Sequence, residues 1–379
     1  MIHMRMKTKK TPECQEISEK KSFYQTHGTF QTLIQLFWQL DIVGVILPTA
    51  SLGCILVPLT LAGGFATKWH EAGIIVPLVL GGVLLPVFVY WESSWARQPL
   101  APPKLLKDRG MWAGFCISNV KYFIYYMAAG YMYTVMIVAV NESVKSASRI
   151  LSMPAFVSTV ASPFFALLIT RSRRLKPYII SGCAIWMLAL GLLYHYRGGS
   201  ESHSGIIAGL CLLGLGSVLF TYPVTVSMQS VTTHENMAIV TALSYSLLEI
   251  DAAVGASVSG AVWTQTLYKD LVKRMENPSL ALDAYSSPYK FIVEFAWGTP
   301  EREAMVQSYK YVQRSETLIG LVFTAPLLFL AFFLRDPKLT DKVASEKIEE
   351  GECINDKDGD PITEWILSRF NFIRGKKNN

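Results

Sequence analysis

Residues 42–64 of the chain read IVGVILPTASLGCILVPLTLAGG, a run of 23 residues without a charged side chain. Residues 73–91, GIIVPLVLGGVLLPVFVYW, form a second such run after a short connection. A helix needs roughly 20 apolar residues, at 1.5 Å per residue, to cross the hydrocarbon core of a bilayer. Both runs meet this length, and the short connection between them predicts a transmembrane hairpin.

The rest of the chain follows the same pattern. Of its 379 residues, 51% are hydrophobic and 17% are charged, whereas about 25% of the residues of a soluble domain are charged. We therefore predict an all-α polytopic membrane protein with about eight transmembrane helices. The eight predicted spans are residues 42–64, 73–91, 113–140, 150–170, 178–194, 205–228, 237–267 and 318–334.

The orientation follows from the Lys and Arg residues of the short loops. Loops 92–112 and 171–176 lie on the same side as the chain termini and hold eight cations, whereas the short loops on the opposite side hold four. Cytoplasmic loops carry the excess of Lys and Arg, so we expect both termini in the cytoplasm. The expected domains are an N-terminal tail (1–40), a helix pair (41–91), a six-helix bundle (92–334) with a large aromatic-rich outer loop (268–317), and a C-terminal tail (335–379).

Enzymatic and nucleic-acid functions have no support in the sequence. No G-x-S-x-G, H-E-x-x-H or G-x-x-x-x-G-K-[ST] motif stands in a usable context, and the six cysteines form no C-x-x-C pair. A net charge of +6 is too small to indicate nucleic-acid binding. We predict that the chain is not an enzyme and expect no metal and no cofactor.

Charged residues inside the predicted spans are the best indicators of function, because each costs on the order of 2.5–3.5 kcal/mol at a helix centre. Glu249 and Asp251 lie in the seventh span, about 200° apart around the helix. One acid facing a cavity could carry a proton, and we predict that only one of them does so. The alternative is that these acids pair with Lys121 or with a hydroxyl and have a structural role.

Lys121 lies in the third span among tyrosines, and it shares a helix face with Tyr125. We take Lys121, Tyr125 and Tyr131 as candidates for lining a substrate cavity, where a cation beside aromatic rings could hold an anionic substrate. The alternative for Lys121 is snorkelling to the interface or a salt bridge to the seventh span. The Arg171, Arg173, Arg174 and Lys176 cluster is interpreted as an anchor to anionic lipid.

Several stretches resemble the fungal siderophore-iron transporters of the major facilitator superfamily and the closely similar fungal glutathione exchangers. They are residues 37–64 (FWQLDIVGVILPTASLGCILVPLTLAGG), 196–205 (YRGGSESHSG), 233–243 (THENMAIVTAL), 255–265 (GASVSGAVWTQ) and 285–303 (YSSPYKFIVEFAWGTPERE). Members of that family have fourteen spans. The resemblance implies that this chain corresponds to the central helix pair and the C-terminal six-helix bundle, and we expect it to lack the N-terminal six-helix bundle of the family.

The resemblance implies a secondary, proton-coupled transporter whose transported species are ferric siderophore chelates and protons. It also implies a plasma, endosomal or vacuolar membrane. The alternatives are a glutathione–proton exchanger, and a transport-dead remnant or a partner of a full-length relative or missing N-terminal half. In the transport hypothesis the outer loop gathers the ligand, and its candidate residues are Tyr285, Tyr289, Trp297, Tyr309 and Tyr311.

Overall fold

The computed structural model describes residues 23–62, 69–96, 108–196, 202–230, 232, 234–275 and 277–336. Regular secondary structure in these ranges is helical throughout. The helices are α1 (Phe23–Gln39), α2 (Ile42–Leu61), α3 (Ala72–Ser94), α4 (Arg109–Ala129), α5 (Met132–Val138), α6 (Val144–Leu151), α7 (Met153–Ser172), α8 (Lys176–His195), α9 (His203–Ser230), α10 (His234–Met275), α11 (Pro278–Ser286), α12 (Pro288–Glu294) and α13 (Pro300–Phe333).

Seven of the described helical segments are long and apolar enough to cross a membrane, so the chain is a multi-pass membrane protein. They are Ile42–Leu61, Ala72–Ser94, Val144–Ser172, Lys176–His195, His203–Ser230, Asn236–Met275 and Pro300–Phe333. The remaining predicted span, 113–140, is divided into α4 and α5, and α4 is less apolar than these seven. Because α4 packs against α9, α10 and α13, most of its surface meets protein.

The region predicted as a large outer loop, 268–317, is helical for most of its length. Its place outside the membrane stays a prediction. Pro278, Pro288 and Pro300 are the first residues of α11, α12 and α13. Proline suits the first turn of a helix, where its missing N–H would have no partner within the helix. The Asn277 side chain accepts from the Ser279 N–H (3.1 Å), and the Thr299 hydroxyl accepts from the Arg302 N–H (3.4 Å).

Two helices are longer than a bilayer requires. α10 has 42 residues and α13 has 34, which correspond to about 63 Å and 51 Å at 1.5 Å per residue. The hydrocarbon core is about 30 Å thick. Both helices therefore combine a spanning portion with several turns beyond it.

The chain divides into two compact units, 1–52 with 81–102, and 53–80 with 103–379. In the first unit the start of α2 pairs with the end of α3. The Ser51 hydroxyl donates to the Gly81 carbonyl (2.8 Å), and the Trp91 indole donates to Asp41 (2.9 Å). α1 occupies residues 23–39 of the expected N-terminal tail; residues 1–22 and 337–379 of the expected tails lie outside the described residues.

The second unit contains two hydrophobic cores. The first lies among α4, α5, α6, α8, α9 and α13, where the buried Trp186 indole donates to the Leu213 carbonyl (2.8 Å) and its ring meets Phe220 edge-on. The second core joins the end of α10 to α5, α11, α12 and α13 through Trp263, Phe291 and neighbouring apolar residues. Helices α11 and α12 are thereby packed on the rest of this unit.

Candidate functional site

The site is organised by close packing of α10 on α4. Asp251, Gly255 and Ser259 follow one another at four-residue spacing and so share a face of α10. A Cβ atom on Gly255 would lie 2.8 Å from the Phe123 Cα atom. The absence of a side chain at Gly255 is therefore what lets the two backbones approach.

Asp251 connects the two helices. It is 3% exposed, and its Oδ2 atom accepts a hydrogen bond from the Phe123 N–H at 2.9 Å. Its charge also interacts with that of Lys121 on α4. Asp251 therefore satisfies a main-chain donor and a cation of the neighbouring helix.

Lys121 lines a small polar cavity between α4, α9 and α10. Its Nζ atom lies 4.6 Å from the centroid of the Tyr122 ring and 6.0 Å from that of Phe220. The Thr221 hydroxyl is buried and has no hydrogen-bond partner among the described residues. The cavity has a volume of about 10 Å³, roughly the room that one water molecule needs. Its lining consists of Ile117, Ser118, Lys121, Phe220, Thr221, Val224, Thr225 and Leu248.

Four tyrosines and one acid form a cluster that meets Lys121 through the Tyr122 ring. The Tyr125 ring meets the rings of Tyr122 and Tyr126 edge-on, with centroids 6.4 Å and 5.9 Å away. Tyr222 and Glu249 are exposed, and both interact electrostatically with Tyr122. We call these five residues the tyrosine face.

The tyrosine face differs from the surfaces expected to meet lipid. α7 exposes Phe164 and Leu167, at 70% and 71%, as a helix in contact with acyl chains should. Phenols and a carboxylate at the same kind of position offer hydrogen bonds that hydrocarbon cannot return. The tyrosine face is therefore suited to a ligand or a water-filled space.

The structure separates the two acids of α10. Asp251 is buried against α4, whereas Glu249 is exposed on the tyrosine face, in agreement with their 200° separation. Lys121 and Tyr125 both belong to this region, but the Lys121 ammonium lies over the Tyr122 ring. Tyr131 lies elsewhere, since its ring stacks on Trp263 with centroids 4.4 Å apart.

The five ligand-contact candidates of residues 268–317 have different environments. Tyr309 is buried in the second core at 1% exposure, whereas Tyr289, Trp297 and Tyr311 are exposed. The Tyr289 hydroxyl lies 3.2 Å from that of Thr134. Tyr285 meets Tyr268 edge-on, and partial burial raises its pKa. Tyr289, Trp297 and Tyr311 can contact a ligand as they stand, and Tyr309 cannot.

The Arg171–Lys176 cluster also has more than one role. Arg174 Nη1 lies 3.1 Å from the Asp336 Oδ2 atom, and Lys176 is fully buried. The Oδ1 atom of Asp336 accepts from the N–H groups of Leu175 and Lys176. This part of the cluster therefore fastens the start of α8 to the residues that follow α13, and the anchoring of the cluster to anionic lipid stays a prediction.

Sequence reasoning missed Glu316, a fully buried acid on α13 that accepts a hydrogen bond from the Ser259 hydroxyl (3.0 Å). The last predicted span begins at Leu318 and therefore leaves Glu316 in the predicted loop. A helix starting at Pro300 would have continued through that run, and Glu316 would then lie one turn before Gly320 on the same face.

No protein-family model matches the chain. The chain is 59% identical to "Siderophore iron transporter ARN1" and 53% identical to "Siderophore iron transporter ARN2", both from Saccharomyces cerevisiae, over 99% of its own length in each case. It is 32% identical to "MFS siderochrome iron transporter C" of Aspergillus fumigatus over 86% of its length. The chain spans 60%, 60% and 55% of the lengths of these relatives.

Among solved structures, a bacterial homologue of the human lysosomal transporter Spinster, in an inward-facing and occupied conformation, aligns with a TM-score of 0.44. The alignment has 12% sequence identity and covers 72% of this chain and 59% of the other. This alignment supports no conclusion about the chain.

Proposed function

Since this chain is a close homologue of the fungal siderophore iron transporters, we propose that it forms part of a carrier moving ferric siderophore chelates across a membrane. The observation that carries the proposal on the structural side is the tyrosine face beside the Lys121 cavity. It provides phenols, a carboxylate and a cation on α4, α9 and α10.

A ferric hydroxamate chelate presents a compact, oxygen-rich centre with apolar and polar groups around it. The rings of Tyr122 and Tyr125 supply apolar contact, and their hydroxyls can donate to chelate oxygens. The Lys121 ammonium adds a positive charge at the wall of the cavity, where electrostatic interactions are stronger than in water. Tyr289, Trp297 and Tyr311 provide a first aromatic contact for the chelate. They lie in the region of α11, α12 and the start of α13, which we call the outer helices.

Proton coupling in this proposal belongs to Glu249. Glu249 lies on the tyrosine face, where its charge can respond to a bound ligand, whereas Asp251 holds α10 to α4. The carrier works as a secondary transporter in a plasma, endosomal or vacuolar membrane, with both chain termini in the cytoplasm.

The test is uptake of a radioiron-labelled ferric hydroxamate chelate by fungal cells that lack their own siderophore carriers. The chain is expressed alone and, in parallel, in place of the matching segment of the Saccharomyces cerevisiae ARN1 relative. Lys121→Met is expected to lower uptake on the order of tenfold, which corresponds to one lost interaction of about 1.4 kcal/mol. Lys145→Met, at an exposed lysine of α6, is the matched control and should leave uptake unchanged.

Uptake by the chain alone would exclude a transport-dead remnant. Uptake by the chimera alone would show that transport needs a partner or the further length that the relatives possess. Labelled glutathione moving in place of the iron chelate would favour the exchanger. Absence of both activities in both forms, with the protein present in the membrane, would contradict the proposal.

A further inference from the structure

Glu316 occupies the centre of the packing between α4, α10 and α13. Its carboxyl is fully buried, and its Oε1 atom accepts the Ser259 hydroxyl hydrogen bond from α10. One turn further along α13, a Cβ atom on Gly320 would lie 3.3 Å from the Ile124 carbonyl oxygen of α4. Gln313, one turn earlier, donates to the Ala128 carbonyl at 3.0 Å. Glu316 is thus enclosed by three helices and is remote in sequence from the tyrosine face.

Groups of two neighbouring elements meet the Glu316 carboxyl. From the α4–α5 connection, the Tyr131 phenol interacts electrostatically with the Glu316 carboxyl. From α10 the contact is the Ser259 hydroxyl; Asp251, the next acid on that face, is eight residues away, or about 12 Å along the helix. Arg314 lies with its guanidinium 4.5 Å from the ring of Tyr194 on α8. Complete burial inside a membrane-spanning helix makes the charged form of this carboxyl costly relative to its neutral form.

Tyr131 links this carboxyl to the outer helices. It is half-buried, and its ring stacks on Trp263, which in turn meets Tyr309 edge-on at 5.3 Å in the second core. Its hydroxyl would lie 3.4 Å from a Cβ atom on Gly260, the residue after Ser259. A phenol can donate and accept a proton in a hydrogen bond, so it can pass one between solvent and a buried acid.

We propose that Glu316 is a proton-binding carboxyl of this bundle, held by Ser259 and reached from the side of the outer helices through Tyr131. The use of this proton in transport rests on the proposed function above, in which Glu316 would be a second titrating acid beside Glu249. Protonation itself is a property of the folded chain and needs no transport to be observed.

The test is infrared difference spectroscopy of the purified chain in lipid nanodiscs, recorded against pH. A protonated carboxyl gives a C=O stretching band that shifts when H₂O is replaced by D₂O. We expect such a pH-dependent band in the unaltered chain and in Glu303→Gln, an exposed acid of α13. The band should be absent in Glu316→Gln. Ser259→Ala should move its midpoint by about one pH unit, a tenfold change in proton affinity.

An unchanged band in folded Glu316→Gln would overturn the proposal. If that variant fails to fold, Ser259→Ala decides, because a midpoint equal to that of the unaltered chain would also overturn it. Loss of iron-chelate uptake with the infrared titration intact would contradict the proposed function and leave the proton site standing.

Discussion

The pairing of Asp251 with α4 gives the sharpest test of how the bundle is held together. Asp251→Asn keeps an oxygen that can accept the Phe123 N–H but removes the charge that interacts with Lys121. An uncompensated lysine near the centre of a membrane helix costs about 2.5–3.5 kcal/mol, which is the expected destabilisation. Asp251→Ala also loses the interhelical hydrogen bond, which adds about 0.6–1.7 kcal/mol.

The rescue variant makes the argument specific. Asp251→Asn combined with Lys121→Met removes both charges and keeps the acceptor, so we expect a stability within about 1 kcal/mol of the unaltered chain. Unfolding by increasing SDS in mixed micelles, followed by tryptophan fluorescence, measures these differences. Glu249→Gln, at the exposed acid two residues away, is the control and should change stability by less than about 0.5 kcal/mol.

Two results would refute this reasoning. If Asp251→Asn is as stable as the unaltered chain, Asp251 does not compensate the Lys121 charge. If the double variant is as unstable as Asp251→Asn alone, the loss comes from packing or from the backbone contact, and the charge pair has no measurable part in it.

Two further predictions use the same unfolding assay. Gly255→Ala should destabilise the folded chain by about 1–3 kcal/mol because its Cβ atom meets the α4 backbone. Gly191→Ala, with open space around the added atom, is the control and should not change stability. Equal effects of the two substitutions would contradict the close approach of α10 and α4. Asp336→Ala should cost at least about 3 kcal/mol, since the carboxylate accepts two main-chain N–H groups and pairs with a guanidinium. Arg171→Ala, on the exposed side of the same cluster, is the control. If Asp336→Ala is as stable as this control, the Asp336 carboxylate does not fasten α8 to α13.

The first two apolar helices could be predicted from the sequence to within about three residues at each end. The expected spans 42–64 and 73–91 correspond to Ile42–Leu61 and Ala72–Ser94. Both runs are long, uncharged and bounded by polar residues, so the cost of moving their ends into water fixes the boundaries. Lys121, the charged residue of the third predicted span, lines a small cavity in the structure, and its contact with a substrate stays a prediction.

The region after Leu267 could not be predicted in the same way. Its helices alternate polar and apolar residues because they pack on one another through the second core, and a hydropathy window averages this pattern away. The prolines at positions 278, 288 and 300 each begin a helix, which a hydropathy window does not detect. Glu316 was missed for the same reason, since its importance depends on α4 and α10, which meet it only in three dimensions.

The length of α10 has a mechanical consequence. The helix carries Gly255 midway along it, and the tight fit against Phe123 fixes that crossing point. A rigid rod held at one crossing turns about it, so a tilt of 5° displaces a point about 30 Å further along by roughly 2.6 Å, given a rise of 1.5 Å per residue. Trp263, Leu267 and Leu271 follow Gly255 along α10 and pack in the second core, whereas Glu249 precedes Gly255. A tilt of α10 about this crossing would therefore move Trp263, Leu267 and Leu271 in the direction opposite to that of Glu249.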